Sequence, residues 1–251
     1  RVVLTRGGMS LSVEDGGLPP ASVVQKDDAI LADFERVIAR HHQRGAGAMV
    51  QVALAPCSPF SVTPQLMRDA AAMAERLDLR LHTHLAETLD EDAFCEARFG
   101  CRPLDYLEDL GWLTDRVWLA HGIHFRDEEV ARLGRAGTGI CHCPGSNMIL
   151  GSGICRVGAL EAAGAPVGLG VDGSASNDHS NLMEEVRQAF LLQRVARGAT
   201  AASHRDALRW ATEGSARCLG RSDIGRIAPG LAADLALFRL DEPRFSGAGD
   251  P

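Results

Sequence analysis

The sequence predicts an α/β protein, a parallel sheet with helices laid over it. Two observations carry that expectation. Short β-branched runs alternate with amphipathic helical stretches along most of the chain. The residues that finish those runs are also unusually reactive in type, as they are where a parallel sheet presents a site at its carboxyl ends.

In chain order, strands are expected at "RVVLTR" (1–6), "AMVQVALAP" (48–56), "LRLHTHLAE" (79–87), "VWLAHGIH" (117–124), "TGICHCP" (138–144) and "PVGLGVDGS" (166–174). Helices are expected between them at 27–44, 63–78, 102–112, 126–137 and 156–164, and after them at 181–198 and 203–220. Thr63 followed by Pro64 reads as a hydroxyl cap with proline in the first turn, and "RAG" and "AAG" supply glycine stops. "EDGGLPPAS" (14–22) reads as a long exposed loop. The last piece, "IGRIAPGLAADLALFRLDEPRF", reads as a short strand, a Pro-Gly turn and a second strand, part of a separate β element. Six βα units suit an open doubly wound sheet, whereas a (β/α) barrel closes at eight, so either the sheet is open or the sequence is cut.

Composition narrows the class of partner. With 251 residues, 45% hydrophobic and 24% charged, the chain has the balance of a soluble globular protein. A net charge of -7 with scattered basic residues argues against a nucleic acid polymer. No apolar stretch approaches the roughly 18 to 20 residues of a membrane span, and the start lacks a signal-peptide pattern, so the expectation is a cytoplasmic protein without a membrane partner. Seven cysteines, odd in number and irregularly spaced, suit reduced thiols. In "ICHCPGSN" the spacing of Cys141 and Cys143 is too tight for a two-cysteine zinc site.

The strand ends bring together Cys57 and Ser58, His84 and Glu87, His121 and His124, His142, and Asp172. Imidazoles and carboxylates converging on one rim form a metal or acid-base constellation, since both suit a borderline metal and move protons near neutral pH. His82 and His84 share a strand face; both could bind one metal, or His82 could be a hydrogen-bonded core residue.

The motifs "LHTHLAET", "WLAHGIHF", "HCPGSNM" and "GLGVDGSASND", in this order, resemble the amidohydrolase superfamily, in particular its cytosine deaminase-like branch with guanine deaminase and the triazine-degrading enzymes. "RGGMSLS", "ALAPCSPFSVT" and "VDGSASNDHSNLMEEVRQAFLLQR" resemble the bacterial 8-oxoguanine deaminases in particular, and the likeness runs from Arg1 to about Pro251. The resemblance implies a partial (β/α)8 TIM barrel, about strands 3–8, followed by part of a small β-sandwich. Residues 1–222 would be an N-terminally truncated hydrolase barrel and 223–251 the start of the sandwich portion. It implies metal ligation by His84 and Asp172, proton shuttling by Glu87, polarisation of substrate or water by His121, general-base work by Asp172, and substrate contacts from Cys57, Ser58 and Arg6. His82 matches no ligand position and falls to packing or support. The expected cofactor is one divalent metal, zinc with iron as the alternative, and the substrate a small aminated heterocycle. Triazine, S-adenosylhomocysteine and guanine or pyrimidine aminohydrolases are the alternatives, and homo-oligomer formation is left open. The family's remaining ligands, a His-x-His pair on its first strand, have no counterpart before residue 82, since "HHQ" at 41–43 reads as mid-helix. The chain alone is therefore expected to be inactive, or a metal-free binding module.

Overall fold

The computed structural model describes residues 1–239 and 241. Six strands lie side by side in sequence order in one sheet: β1 (Val2–Gly8), β2 (Val50–Pro56), β3 (Leu81–Leu85), β4 (Val117–His121), β5 (Gly139–His142) and β6 (Val167–Leu169). Every pairing is parallel. The crossovers are α1 (Asp27–His41), α2 (Pro64–Leu77), α3 (Leu89–Phe99) with α4 (Pro103–Asp109), α5 (Asp127–Ala136), and α6 (Pro144–Ile149) with α7 (Val157–Ala162). After β6 come α8 (Leu182–Arg197) and α9 (His204–Arg209), which runs through a π-helical turn (Trp210–Gly214) into α10 (Ser215–Cys218).

Apolar spacing explains how the helices seat. In α1, Ile30, Phe34 and Ile38 recur every fourth residue, so they form one buried stripe. They join Leu66 and Met67 of α2 and Leu54, Leu81, Leu119, Ile140 and Val167 of the sheet in a single core. Helix ends follow the expected chemistry: Thr63 Oγ1 accepts from Leu66 N at 3.0 Å ahead of Pro64, and Gly137 closes α5 at φ 69°. At the close of α10's approach, Gly214 lies so near β6 that a Cβ would sit 1.9 Å from the Val167 carbonyl.

Three expectations change. The pair His41–His42 is not mid-helix: His41 ends α1 and His42 caps it, its Nδ1 accepting from Val52 N at 3.0 Å. Two short helices, α3 and α6, occupy stretches where none was expected. α3 buries only Glu91 and Cys95, so it shows little apolar period, and α6 opens with Pro, Gly, Ser and Asn, poor helix formers held by their surroundings. The expected terminal strand pair does not form among the described residues, where 222–239 run without strand structure. That segment instead crosses the N-terminal ends of β1 and β2: Asp223 Oδ2 accepts from Gly47 N at 2.7 Å, and Asp234 pairs with Arg1 at 2.8 Å. The rest of the expected β element, residue 240 and residues 242–251, lies outside the described residues. None of the described helices is long and apolar enough to cross a membrane.

Candidate metal centre

The period of two along β3 sends Leu81, Thr83 and Leu85 into the helix-facing core and His82 and His84 to the other face. His82 stacks on Trp118, ring centroids 4.7 Å apart, and its Nδ1 donates to the Trp118 carbonyl at 3.0 Å. Burial, reinforced by the charge of His84, pushes its pKa down to about 4. His82 is thus a neutral packing residue beside the site.

His84 is held differently. Its Nδ1 lies 2.7 Å from the Cys57 carbonyl. A carbonyl only accepts, so Nδ1 carries a proton, and in the neutral ring Nε2 is the nitrogen left bare. This arrangement, in which one ring nitrogen is fixed by a carbonyl, is the one metal-binding histidines use. Burial opposes charge on the ring, but the Cys57 thiol at 3.9 Å, the Cys57 carbonyl and Asp172 outweigh it and lift the pKa to about 9.

The sheet register and its curvature then bring in two partners. β3 and β4 pair Leu85 with His121, so His121 ends its strand beside His84, ring centroids 5.5 Å apart. Asp172 arrives from the far side, three residues past β6. One ligand atom from each of His84, His121 and Asp172 lies within 4.8 Å of the others. Glu87 Oε2 is 3.5 Å from His121 Nε2, and Asp172 Oδ2 is 3.8 Å from it. Two imidazoles and a carboxylate so spaced fit a zinc or iron ion.

Backbone strain concentrates here. Ala86, His121 and Asp172 adopt φ of 53°, 72° and 65°, left-handed values that cost a non-glycine residue on the order of 1–3 kcal/mol each. All three sit where a strand turns over the rim. Asp172 accepts from Ser146 Oγ at 2.6 Å. Burial works against its charge, but the Ser146 hydroxyl, the Gly173 amide and His121 prevail and hold the carboxyl below its usual range.

The remaining sequence-predicted residues divide. Cys57, Ser58, His84 and Glu87 line one cavity of about 890 Å³. One wall of it is the β1–α1 loop, expected to be merely exposed, which contributes Leu18, Pro19 and Pro20. Arg6 borders an adjoining cavity with Cys57, His82 and His84, but its guanidinium is engaged by Asp33 at 2.7 Å and Gln25 at 2.9 Å. His124 turns away, its Nε2 bonding the Ser152 carbonyl at 2.9 Å. His142 is fully buried on β5 with neither ring nitrogen partnered among the described residues. Sequence reasoning passed over Ser146, Asn147 and Glu185, which hold the group from behind. The available signal was "PGSN", a polar run placed directly after a strand end.

Comparison with known proteins identifies relatives of the chain. The chain is 67% identical to an 8-oxoguanine deaminase from Pseudomonas aeruginosa over all of its length and 56% of that protein's. It is 40% identical to an isoxanthopterin deaminase from an unknown prokaryotic organism, again over all of its length and 56% of the relative's. Among solved structures, an atrazine chlorohydrolase from Arthrobacter aurescens TC1 complexed with zinc superposes with a TM-score of 0.94 at 37% identity, covering 100% of this chain and 56% of the other. The chain thus spans a little over half the length of the relatives it matches. The six parallel strands are those of this barrel architecture. The sequence profile of the amidohydrolase family matches residues 1–250, and the chain belongs to that family.

Proposed function

We propose that the protein carrying this chain is a metal-dependent deaminase of an aminated purine-type heterocycle, 8-oxoguanine above all. The observation that carries the reading is the convergence of His84, His121 and Asp172 within 4.8 Å, with Glu87 against His121. The 67% identical relative, an 8-oxoguanine deaminase, supports the substrate. The zinc in the similar chlorohydrolase supports the metal.

In this reading His84, through Nε2 of its neutral ring, and Asp172 would hold one divalent ion, zinc or iron. When bound, such an ion lowers the pKa of a water from about 15.7 towards 7 and so supplies a nucleophile at neutral pH. Asp172 stays ionised and accepts the proton of the attacking water. Glu87 delivers a proton to the ring nitrogen next to the amine-bearing carbon. His121, between the two carboxylates, polarises and orients the attacking water. Asp172 passes its proton to the amine, which leaves as ammonia, and the new hydroxyl returns a proton to Glu87 as it becomes the carbonyl. Cys57 and Ser58 line the cavity that would receive the ring, and Arg6 borders the adjoining one. We assign residues 1–222 to the barrel and 223–251 to the start of a β-sandwich portion, and place the protein in the cytoplasm, in keeping with its seven free cysteines.

The test is ammonia release by the zinc-loaded natural protein from 8-oxoguanine, isoxanthopterin, guanine, S-adenosylhomocysteine and a triazine in parallel. 8-Oxoguanine is expected to lead in kcat/KM by tenfold or more. Glu87→Gln is expected to lower kcat by about 10²–10⁴, the span general acid-base groups contribute. A triazine or pterin in first place contradicts the purine assignment, and silence on all five contradicts deamination.

A further inference from the structure

The six-residue helix α6 begins within "HCPGSN", directly after β5, and two neighbouring side chains on it reach two members of the metal group. Ser146 Oγ donates to Asp172 at 2.6 Å, and Asn147 Oδ1 lies 2.9 Å from His121 Nδ1. Both side chains are fully buried, as is His121 at 1% exposure. The helix itself is pinned. Glu185 of α8, also fully buried, accepts from Gly145 N at 2.8 Å with one carboxylate oxygen and from Asn177 Nδ2 at 2.6 Å with the other. A segment with weak helical propensity is therefore fixed by a buried carboxylate, and Ser146 and Asn147 inherit that fixity.

We propose that Asn147 is a positioning residue that sets the tautomer of His121. An amide oxygen only accepts, so the contact requires the proton on Nδ1 and leaves Nε2 bare in the neutral ring. Nε2 is the atom facing Glu87 at 3.5 Å and Asp172 at 3.8 Å. His121 thereby meets the site as an acceptor, able to take a hydrogen bond or proton from a water lying between the two carboxylates, or to add a third ligand atom. The opposite tautomer would point N–H at the carboxylates and close both roles. The inference deepens the deaminase reading and rests on it for its consequence, but the tautomer itself is a property of the metal-free chain.

The experiment is a long-range 1H–15N correlation spectrum of the 15N-histidine-labelled chain without metal. It is recorded near pH 9, above the imidazole value of about 6.5. His121→Gln identifies the resonance by its loss. The wild type is expected to show His121 as the Nδ1–H form. Asn147→Leu is expected to move it to the Nε2–H form or a mixture, with the His82 signal unmoved as the report of an intact fold. Ser146→Ala, which touches Asp172 instead, is expected to leave it as Nδ1–H. An Nε2–H or doubly protonated ring in the wild type overturns the proposal, even if Asn147→Leu does not fold. A ring still Nδ1–H in folded Asn147→Leu overturns it too. None of these outcomes depends on turnover, so a failed deaminase assay and a failed tautomer assignment remain distinguishable.

Discussion

His142 ends β5 among the residues that build the metal group, yet it takes no part in it. Complete burial, with no partner for either ring nitrogen among the described residues, drives its pKa down to about 3, and nearby His121 adds to this. The folded protein therefore resists a proton that the unfolded chain takes up at about 6.5. The stability this group supports is complete above pH 6.5 and drains as pH falls toward 3, by up to about 1.4 kcal/mol per unit. His142→Leu is expected to flatten that part of the stability-pH curve, measured by urea unfolding between pH 4 and 7; a variant curve parallel to wild type contradicts it. Glu91 has the opposite sign, since burial lifts its carboxyl to about 8 and its share is lost as pH rises from 4.5 to 8, which separates the two on one titration. At this scale the sequence was legible wherever a reactive side chain ended an apolar run: His84, Glu87, His121 and Asp172 all stood out. Ser146 and Asn147 did not, because small polar residues after a strand look like turn chemistry until their partners in the fold are known. Arg6 carries no such signal and entered by resemblance alone.

Between elements, the part-buried guanidinium of Arg102 does for the helices what Glu185 does for α6. It bonds Asp92 of α3 at 2.7 Å, Glu129 of α5 at 2.8 and 3.0 Å, and the His124 carbonyl after β4 at 2.9 Å. Glu129 is only 3% exposed, so removing the guanidinium strands a buried carboxylate. Arg102→Met is expected to cost about 3–5 kcal/mol in chemical denaturation, the scale of a broken buried pair. A loss under about 1 kcal/mol would show the network to be solvent-screened instead. Helices with strong apolar stripes, such as α1 and α2, were legible from spacing, and their caps from Thr63–Pro64 and Gly137. α3 and α6 were not, since what fixes them is polar and long-range: Arg102 across 10 and 27 residues, and Glu185 across 40. The terminal segment failed for the same kind of reason. Alternation in "GRIAPGLAADLALF" suggests a strand, but a strand needs a neighbour to pair with, and the described part is tied to Gly47 and Arg1 through side chains.

Across the whole molecule, the candidate site follows from curvature. Six parallel strands in sequence order wrap far enough that a residue past the sixth reaches residues ending the third and fourth, and only on the carboxyl rim do His84, His121 and Asp172 meet. Parallel order was legible from the βα alternation, whereas the distance closed between Asp172 and His84, 88 positions apart in sequence, is set by the twist of strands that no local pattern records. The most direct measurement is an anomalous difference map from crystals of the zinc-loaded protein. The account predicts one zinc peak about 2.0–2.2 Å from His84 Nε2 and from a carboxylate oxygen of Asp172. Zinc bound elsewhere on the chain, with none between those two residues, would contradict it.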